Sequence, residues 1–264
     1  MPKNTTYASK KPDASGHIQY TPEEDAVWRD LIAAQLPRVE RYMARPYLEG
    51  LAALDLPRDR VPQCTELSET LRDLTGWRVE PVPALIPFGT FFGMLADRAF
   101  PAASFIRRRE HFDYIEEPDI FHEIFGHAPL LTHPEFAAFS QAIGKAGLKA
   151  RKEDHAWLIR LYWFTIEFGL MREDGRIKGL GSGLASSTAE LEHATSNVPL
   201  KRDFDVVDIL RTSYRIDIPQ PVYYVISDLE ELFAAAARDL LAEVAEARRL
   251  GVLPPLYPAK EDAA

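Results

Sequence analysis

Two histidines, His122 and His127, stand five residues apart in the apolar stretch EPDIFHEIFGHAPLL, which runs from 117 to 131. Imidazoles and carboxylates together form ligand sets for divalent zinc, iron or manganese. Three carboxylates lie near the two histidines in the sequence: Glu117, Asp119 and Glu123. On a straight α-helix, residues five apart point about 140° away from each other, so both rings reach one metal only where the backbone departs from the ideal. Gly126, directly before the second histidine, is the position where such a departure costs least.

The spacing of the two histidines indicates whether they belong to a zinc-peptidase site. The zinc-peptidase pattern H-E-x-x-H keeps both ligands on one helix face, and it needs a spacing of four. The spacing of five in this chain counts against a zinc peptidase. Without a metal, the alternative is a chance pair near a helix end, with one histidine buried and the other solvated. A shared apolar helix and a third candidate ligand downstream favour the metal.

The third candidate ligand is Glu167, which lies within LYWFTIEFGL, residues 161–170. This stretch is apolar on nearly every side except at the glutamate, and a helix that is apolar all round is buried. The carboxylate then needs a partner, because an unpaired buried charge is strongly unfavourable. A metal ion would be such a partner, and a buried arginine or histidine is the alternative.

Length and composition narrow the class of protein. A chain of 264 residues can bury a sizeable core, in one large domain or two small ones. The net charge of −9 gives no electrostatic footprint for nucleic acid or an anionic membrane. The single cysteine, Cys64, cannot form an intramolecular disulfide, which fits a reducing cytosol. We see no signal peptide, and the apolar run 81–96 is too short to span a bilayer, so we expect a soluble cytoplasmic protein.

Helix signals dominate the chain, and the expected fold is mostly α with a few short β-strands in a single domain. Thr21 followed by Pro22 and acidic residues is a typical helix start. The pair Asp174-Gly175 predicts the turn of a β-hairpin between 171 and 180. Further strands are predicted in three regions: 77–82, 102–106 and, as two short strands, 216–226.

A glycine-rich segment, GLGSGLASS at 179–187, lacks the Walker lysine and the G-x-G-x-x-G spacing, and we interpret it as a close-packed loop. Together with the two stretches quoted above, it resembles the pterin-dependent aromatic amino acid hydroxylases, most closely their short bacterial members. The resemblance covers roughly residues 20 to 250. It implies a monomeric catalytic domain over 20–250, between a flexible N-terminal tail, 1–19, and a C-terminal tail, 251–264.

The activity that the resemblance implies is hydroxylation of L-phenylalanine to L-tyrosine, in phenylalanine catabolism. O2 and a tetrahydropterin, such as tetrahydrobiopterin, are the implied co-substrates. Cutting an aromatic C–H bond needs an oxidant beyond any side chain, so a metal and the pterin carry the redox chemistry. The family implies Fe(II) held by His122, His127 and Glu167, with open positions for oxygen. Three residues match family positions that support the first histidine: Asp119, Ser186 and Glu190.

The resemblance also implies the binding residues. It places Phe91 as the ring that stacks on the pterin, with the loop 84–88, especially Ile86, and Glu123 nearby. Arg107, the first of three consecutive arginines, matches the arginine that pairs with the substrate carboxylate; Arg108 and Arg109 are expected to be solvated. Four residues match the substrate pocket: Trp163, Phe168, Gly183 and Ser186.

Two positions depart from the family pattern, and other functions stay open. Ile115-Glu116 stands where animal members have Thr-Pro, so it is open whether a hydroxyl group contacts the substrate there. Leu180 replaces a family tyrosine.

Hydroxylation of tryptophan or tyrosine is the nearest alternative activity, because the iron motif would be shared. A metal-dependent hydrolase or a non-catalytic metal module is a further alternative. A 2-oxoglutarate oxygenase uses the same ligand types, but on a β-barrel with a close His-x-Asp/Glu pair that this chain lacks.

Overall fold

Helices make up most of the secondary structure in the computed structural model, which describes residues 7–83, 86–187 and 189–257. Within these ranges the α-helices are α1 (Pro22–Tyr42), α2 (Arg45–Leu54), α3 (Cys64–Thr75), α4 (Phe88–Ala96), α5 (Pro134–Lys149), α6 (His155–Tyr162), α7 (Ser182–Ser186), α8 (Glu190–Thr195), α9 (Val206–Arg211), α10 (Leu229–Ala236) and α11 (Leu240–Leu250). The strands are β1 (Arg78–Val82), β2 (Ala99–Ala103), β3 (Leu170–Glu173), β4 (Arg176–Gly179), β5 (Leu200–Asp203) and β6 (Val222–Ile226). The prediction of a mostly helical fold with a few short strands is confirmed. None of the helices in the described ranges is long and apolar enough to cross a membrane.

The helix start predicted at Thr21 is confirmed. The Glu24 backbone N–H donates to the Thr21 hydroxyl oxygen at 3.3 Å, and the Glu24 carboxylate accepts from the Thr21 N–H at 2.7 Å. These reciprocal bonds form a capping box, which satisfies two backbone donors that have no partner inside the helix. α1 then carries Trp28 into the core, where it is fully buried.

The strands form two small sheets. β1 and β2 pair in parallel, with Arg78 opposite Ala99. The second sheet has the order β4-β3-β6-β5, in which β3 and β4 are antiparallel and the other two pairs are parallel. The predicted hairpin turn is confirmed between β3 and β4, where Asp174 and Gly175 have φ angles of 48° and 72°. A two-residue hairpin turn of type I′ requires a positive φ at both positions.

Two strand predictions are wrong in position. The strand predicted at 102–106 runs from Ala99 to Ala103, and the segment 216–226 forms one strand, β6, instead of two. Every residue of β2 and β6 is buried, so neither shows the alternation by which a half-exposed strand is recognised. The glycine-rich segment also differs from the predicted loop, because its middle forms the short helix α7.

Two short π-helices interrupt the α-helical pattern: His122–His127 and Trp163–Glu167. A π-helix has backbone hydrogen bonds from residue i to i+5, and such turns occur frequently at functional sites. The second π-helix continues directly from α6. Both lie in the core, where Phe121, Phe125 and Phe164 are almost fully buried. The two π-helices therefore bring their polar side chains together inside the protein.

Part of the segment predicted as an N-terminal tail packs against the domain. Tyr7 and Ile18 are buried, and the backbone of Ile18 exchanges two hydrogen bonds with the Gln63 side chain. These residues do not fit the prediction of a flexible tail, because their apolar surface is removed from water. In the predicted C-terminal tail, the Leu253 N–H donates to the Arg211 carbonyl. The outermost parts of both predicted tails, 1–6 and 258–264, lie outside the described residues.

Candidate metal centre

The side chains of His122, His127 and Glu167 meet at one point in the core. His122 Nε2 lies 3.1 Å from His127 Nε2 and 3.3 Å from Glu167 Oε1, and His127 Nε2 lies 3.1 Å from Glu167 Oε2. Metal–ligand bonds of about 2.0–2.2 Å put neighbouring donors about 2.8–3.6 Å apart, from right-angle to tetrahedral geometry. The three donors are therefore spaced as ligands of one ion. Two imidazoles and one carboxylate on one face are a ligand set that fits Fe(II).

The first π-helix explains how two histidines five residues apart share one face. On a straight α-helix their directions would differ by about 140°. Hydrogen bonds from i to i+5 widen the turn between His122 and His127, so the second histidine returns to nearly the direction of the first. The departure from ideal helix geometry that the spacing requires is thus present.

Gly126 serves this turn by its small size, and not by the backbone freedom that the sequence suggested. It is not among the glycines with positive φ, so a larger residue could adopt its backbone angles. A Cβ at this position would lie 2.8 Å from the Ser182 carbonyl oxygen, closer than real Cβ contacts come. The glycine therefore lets α7 approach the histidine turn.

Glu167 is held as a carboxylate by its neighbours. Burial raises the pKa of this group, but His122 and His127 outweigh burial and lower it to about 2. The Ser182 hydroxyl contributes, because it donates to Glu167 Oε2 at 3.1 Å and lies 3.0 Å from His127 Nε2. The ionised form is the one that binds a metal ion.

Glu123 is the competing carboxylate at this point. It is buried, and one of its oxygens lies within 4.8 Å of a ring nitrogen of both His122 and His127. Burial raises the pKa of Glu123 well above its usual range, and the charge of Glu167 raises it further. A protonated carboxyl is a poor metal ligand, whereas Glu167 is ionised and contacts both imidazoles. The geometry therefore favours Glu167 as the third donor.

The second ring nitrogen of each histidine also has a neighbour. His122 Nδ1 lies 2.8 Å from Ser186 Oγ, and His127 Nδ1 lies 3.3 Å from the Tyr162 hydroxyl oxygen. Such contacts fix ring orientation and tautomer. Burial lowers the pKa of His122 to about 4, against the opposite effect of Glu167. The neutral ring, which can donate its lone pair to a metal, is thus the favoured form.

Asp119 links Arg107 to the histidine turn. Asp119 Oδ2 accepts from Arg107 Nε at 2.8 Å, and Oδ1 accepts from Arg107 Nη2 at 2.9 Å and from the His122 backbone N–H at 3.1 Å. Both side chains of this forked pair are buried. Burial raises the pKa of Asp119, but the Arg107 guanidinium more than offsets this and the net shift is downward. Asp119 therefore supports the first histidine through its backbone and not through its ring.

A cavity of about 450 Å³ opens beside the three donor atoms. Its size falls within the range of about 300–1,000 Å³ that is typical of small-ligand sites. The predicted pterin and substrate residues all line it, together with Glu190: Ile86, Phe91, Glu123, Arg107, Trp163, Phe168, Gly183 and Ser186. Ala84 and Leu85, from the loop predicted to contact the pterin, lie outside the described residues. The structure thus brings the predicted metal, pterin and substrate residues to one space.

Aromatic rings form two walls of the cavity. Trp163 lies against Phe168, with ring centroids 4.5 Å apart, and stacks on Tyr214 at 4.2 Å. On another wall, Phe91 meets the edge of Tyr162 at 5.2 Å. Flat apolar surfaces of this kind suit aromatic ligands.

Gly183 completes the aromatic wall by leaving room for its neighbours. A Cβ at this position would lie 2.6 Å from Glu167 Oε1 and 2.8 Å from Phe168 Cζ. Any larger residue must therefore displace the third donor or the ring. The close packing predicted for the glycine-rich segment is present here, although the segment is partly helical.

Several residues of the site were not predicted, and one predicted support is not a direct contact. Ser182 and Tyr162 touch the donor cluster, but nothing in their local sequence distinguishes them from other serines and tyrosines. Tyr214 reaches the site from a distant segment, which no short motif reveals. The Glu190 carboxylate accepts hydrogen bonds from the Gln220 N–H and the Tyr223 hydroxyl, and no described hydrogen bond joins it to His122.

Comparison with known proteins identifies the family. The model of the family described as biopterin-dependent aromatic amino acid hydroxylase matches residues 3–245. The phenylalanine-4-hydroxylase of Vibrio cholerae is 50% identical over 97% of this chain and 89% of its own length. The apo structure of the cold-active phenylalanine hydroxylase from Colwellia psychrerythraea has a TM-score of 0.92 and 46% identity, covering 94% of this chain and 97% of that one. A Chromobacterium violaceum phenylalanine hydroxylase structure with bound iron(III) and oxidised 7,8-dihydrobiopterin has a TM-score of 0.84 and 38% identity, covering 89% of this chain and 85% of that one. Since the match spans nearly the whole chain, the two π-helices and the cavity between them included, the chain belongs to the biopterin-dependent aromatic amino acid hydroxylases.

Proposed function

We propose that this chain is a phenylalanine 4-monooxygenase, which converts L-phenylalanine to L-tyrosine with O2 and a tetrahydropterin at a non-haem Fe(II) centre. One observation carries the proposal: two imidazoles and a carboxylate converge on one wall of a cavity that also holds aromatic rings and a buried arginine. The relatives that match nearly the whole chain are named for the same reaction. One oxygen atom of O2 enters the tyrosine hydroxyl, and the other enters the hydroxylated pterin.

His122, His127 and Glu167 hold the iron in this proposal, with the His122 ring neutral and Glu167 ionised. The three donor atoms converge on one side of the cavity, so an ion held by them would keep positions open toward the cavity. When bound, the reduced pterin would supply the two electrons that reduce O2, and the iron would activate the oxygen for hydroxylation of the ring. The protein's own task is to hold these groups in register and keep competing water out of an apolar space.

Arg107 orients the substrate by its α-carboxylate. A guanidinium has five N–H donors, of which Asp119 engages Nε and one on Nη2, and the Phe112 carbonyl accepts a long hydrogen bond of 3.4 Å from Nη1. The remaining donors sit on a side chain that lines the cavity and that Asp119 holds in place. With the carboxylate fixed at Arg107, the substrate ring lies between the Trp163 and Phe168 wall and the metal donors. In this orientation we expect the para carbon, and not the ammonium group, to point toward the metal donors.

Phe91, Ile86 and Glu123 bind the pterin on the other side of the cavity. The ring of Phe91 offers a flat apolar face, and its edge-on contact with Tyr162 keeps it from rotating. Since burial raises the pKa of Glu123, its neutral carboxyl can donate an O–H hydrogen bond to a pterin nitrogen or carbonyl. Stacking and hydrogen bonding together orient the cofactor toward the open side of the metal.

The experiment that tests the proposed function compares three substrates. Purified protein is loaded with Fe(II) without oxygen, then given air, tetrahydrobiopterin and either L-phenylalanine, L-tryptophan or L-tyrosine. Tyrosine formed from phenylalanine, at higher kcat/KM than either other hydroxylation, is the expected result. Preference for tryptophan or tyrosine would assign a sister specificity. No pterin-dependent oxygen consumption with any of them would contradict hydroxylase activity.

We also propose that the enzyme acts as a monomer in the cytoplasm. All residues assigned to iron, pterin and substrate come from one chain, so no partner subunit is needed to complete the site. The thiol of Cys64 is free and buried, which fits a reducing compartment such as the cytoplasm. Light scattering during size-exclusion chromatography tests the first part, with the mass of one chain as the expected result. Cell fractionation tests the cytoplasmic location, with the protein expected in the cytoplasmic fraction.

A further inference from the structure

The N-terminal segment 7–10, which we call the strap, lies across the segment that carries Arg107. Tyr7 is buried, and its ring stacks on Phe105 with centroids 4.7 Å apart and planes within 16°. The Tyr7 hydroxyl accepts a hydrogen bond from the Arg108 backbone N–H at 3.1 Å and also contacts His111 Nδ1. Tyr7 therefore contacts the chain on both sides of Arg107.

Two further contacts tie the strap to the same region. The Ser104 backbone N–H donates to Ser9 Oγ at 3.2 Å, and the Ser104 hydroxyl donates to the Lys10 carbonyl at 2.6 Å. Lys10 in turn pairs with Glu24 in the first turn of α1. The strap is thus anchored at its far end to α1 while Tyr7 and Ser9 hold residues 104–111.

The strap also packs behind the wall of the cavity. Tyr7, Ala103 and Phe105 form a small apolar cluster separate from the main core, and Ile115 packs against it. Ile115 and Arg107 both line the cavity. Ile115 is the residue that stands where animal members of the family have threonine. Tyr7 therefore contacts the outer side of the wall whose inner side faces the substrate.

We infer that Tyr7 is a positioning residue for the amino acid substrate, which it serves by holding Arg107 and Ile115 against the cavity. The inference rests on the proposed function, in which Arg107 binds the substrate carboxylate. Asp119 holds both the guanidinium and the backbone N–H of Arg107, and the strap holds the next backbone N–H, that of Arg108. Loss of the Tyr7 ring removes the packing behind Phe105 and Ile115 and the bond to the Arg108 N–H, and it leaves the Asp119 contacts and the iron donors in place.

The test compares variants of Tyr7 with a control variant at Lys11, the exposed residue directly after the strap. Tyr7→Ala removes the ring, Tyr7→Phe removes the hydroxyl alone, and Lys11→Ala changes a nearby exposed residue. KM for phenylalanine, KM for pterin, kcat and iron content are measured for each, with the Kd of L-phenylalanine from calorimetry. Because an aromatic contact and its burial are lost, we expect Tyr7→Ala to raise KM and Kd for phenylalanine about five- to thirtyfold. Pterin KM, kcat and iron content should stay within twofold, Tyr7→Phe should fall between wild type and Tyr7→Ala, and Lys11→Ala should match wild type.

A double variant tests whether Tyr7 acts through Arg107. Adding Tyr7→Ala to Arg107→Lys should raise the Kd for phenylalanine by less than twofold over Arg107→Lys alone, because both changes weaken the same contact. Equal rises of the phenylalanine and pterin constants in Tyr7→Ala, or no difference from Lys11→Ala, would overturn the inference. If Tyr7→Ala does not fold, the same constants are measured for Tyr7→Leu, which keeps the apolar volume. The same results then support or overturn the inference. The calorimetric Kd keeps the inference separate from the proposed function, since it reports phenylalanine binding even if the wild type forms no tyrosine.

Discussion

The Nε2 atoms of His122 and His127 lie 3.1 Å apart although five residues separate the two histidines. A π-helix closes this distance, because its hydrogen bonds run from i to i+5 and bring the fifth residue back to the same face. A second π-helix ends at Glu167, whose carboxylate oxygens reach both imidazoles at 3.1–3.3 Å. Two local departures from α-helical geometry therefore build one donor set from segments about forty residues apart.

Arg107 gives the first prediction, which concerns substrate binding. Arg107→Lys keeps the charge but loses the forked donor geometry, so it should lower kcat/KM for phenylalanine about ten- to a hundredfold, or about 1.5–3 kcal/mol. Arg108→Lys and Arg109→Lys are the matched controls, since both side chains are 56% exposed and exposed ion pairs are worth only about 0–1 kcal/mol. Steady-state kinetics of the three variants check this. Equal losses of kcat/KM in all three variants would show that Arg107 has no special role and that the three arginines act only as a positively charged surface.

Uncoupled pterin oxidation separates the substrate contact from damage to the metal site. It should persist in Arg107→Lys, because the iron donors and the pterin wall are untouched. Since Arg107 is also paired with Asp119, loss of pterin oxidation together with hydroxylation would show that Arg107 acts through the fold and not through the substrate.

Phe91 gives the second prediction, which concerns the pterin. Phe91→Ala should raise the KM for pterin well above its effect on the KM for phenylalanine, because aromatic pairs contribute about 0.5–1.5 kcal/mol beyond burial. The side chain lines the cavity and meets the edge of Tyr162, so its removal also lets that ring move. Initial rates over a matrix of both substrates measure the two constants. A similar rise in both would make Phe91 a core residue without a role in cofactor stacking.

Gly183 gives the third prediction. Gly183→Ala should weaken iron binding and raise the KM for phenylalanine together, since the new Cβ would lie 2.6 Å from Glu167 Oε1 and 2.8 Å from Phe168 Cζ. Gly89→Ala is the matched control: a Cβ there meets nothing within 4 Å, and removing a helical glycine stabilises by about 0.5–1 kcal/mol. Iron per chain after dialysis and the phenylalanine KM are measured for both. Wild-type iron binding in Gly183→Ala would show that Glu167 can shift without cost.

Asp119 gives the fourth prediction, which concerns pH. The folded-state pKa of Asp119 is lowered, because Arg107 outweighs the burial that raises it. A carboxyl with a lowered folded-state pKa stabilises the fold fully above its unfolded value of about 3.9, and this stabilisation is lost as pH falls through the lower folded value. Asp119→Asn should therefore cost about 3–5 kcal/mol at neutral pH, where it leaves Arg107 buried without its partner.

Denaturant unfolding of the metal-free protein at several pH values checks the Asp119 prediction. The difference in unfolding free energy between wild type and Asp119→Asn should be constant from pH 7 to 5 and shrink below pH of about 4. Asp59→Asn, at an exposed position, should show little difference at any of these pH values. A wild-type advantage that grows on acidification would contradict the lowered pKa.

Local signals predicted much of the fold and of the donor set. The Thr21 cap and the Asp174-Gly175 turn were readable because a few adjacent residues fix their geometry. Glu167 stood out because it is a carboxylate in an apolar helix, and burial makes such a group need a partner.

Features that depend on contacts between distant segments could not be predicted. β2 and β6 are buried at every position, so their sequences carry no alternation that marks their ends. Gly126 suggested backbone freedom, but the structure shows that it makes room for the Ser182 carbonyl, a neighbour 56 residues away. Tyr7 was predicted to lie in a flexible tail, because nothing in the local sequence indicates that its ring stacks on Phe105.

Iron titration tests the central claim, that His122, His127 and Glu167 hold the one iron with which the chain hydroxylates phenylalanine. Metal-free protein is titrated with Fe(II) without oxygen, then given air, phenylalanine and tetrahydropterin, and tyrosine per chain is measured against iron added. In the wild type, tyrosine formation should rise until one iron is bound per chain and then level off. Glu167→Ala should bind no iron and form no tyrosine while keeping its fold by circular dichroism, and Glu123→Ala should keep its iron. Stoichiometric iron and tyrosine formation in Glu167→Ala, with both lost in Glu123→Ala, would contradict the account.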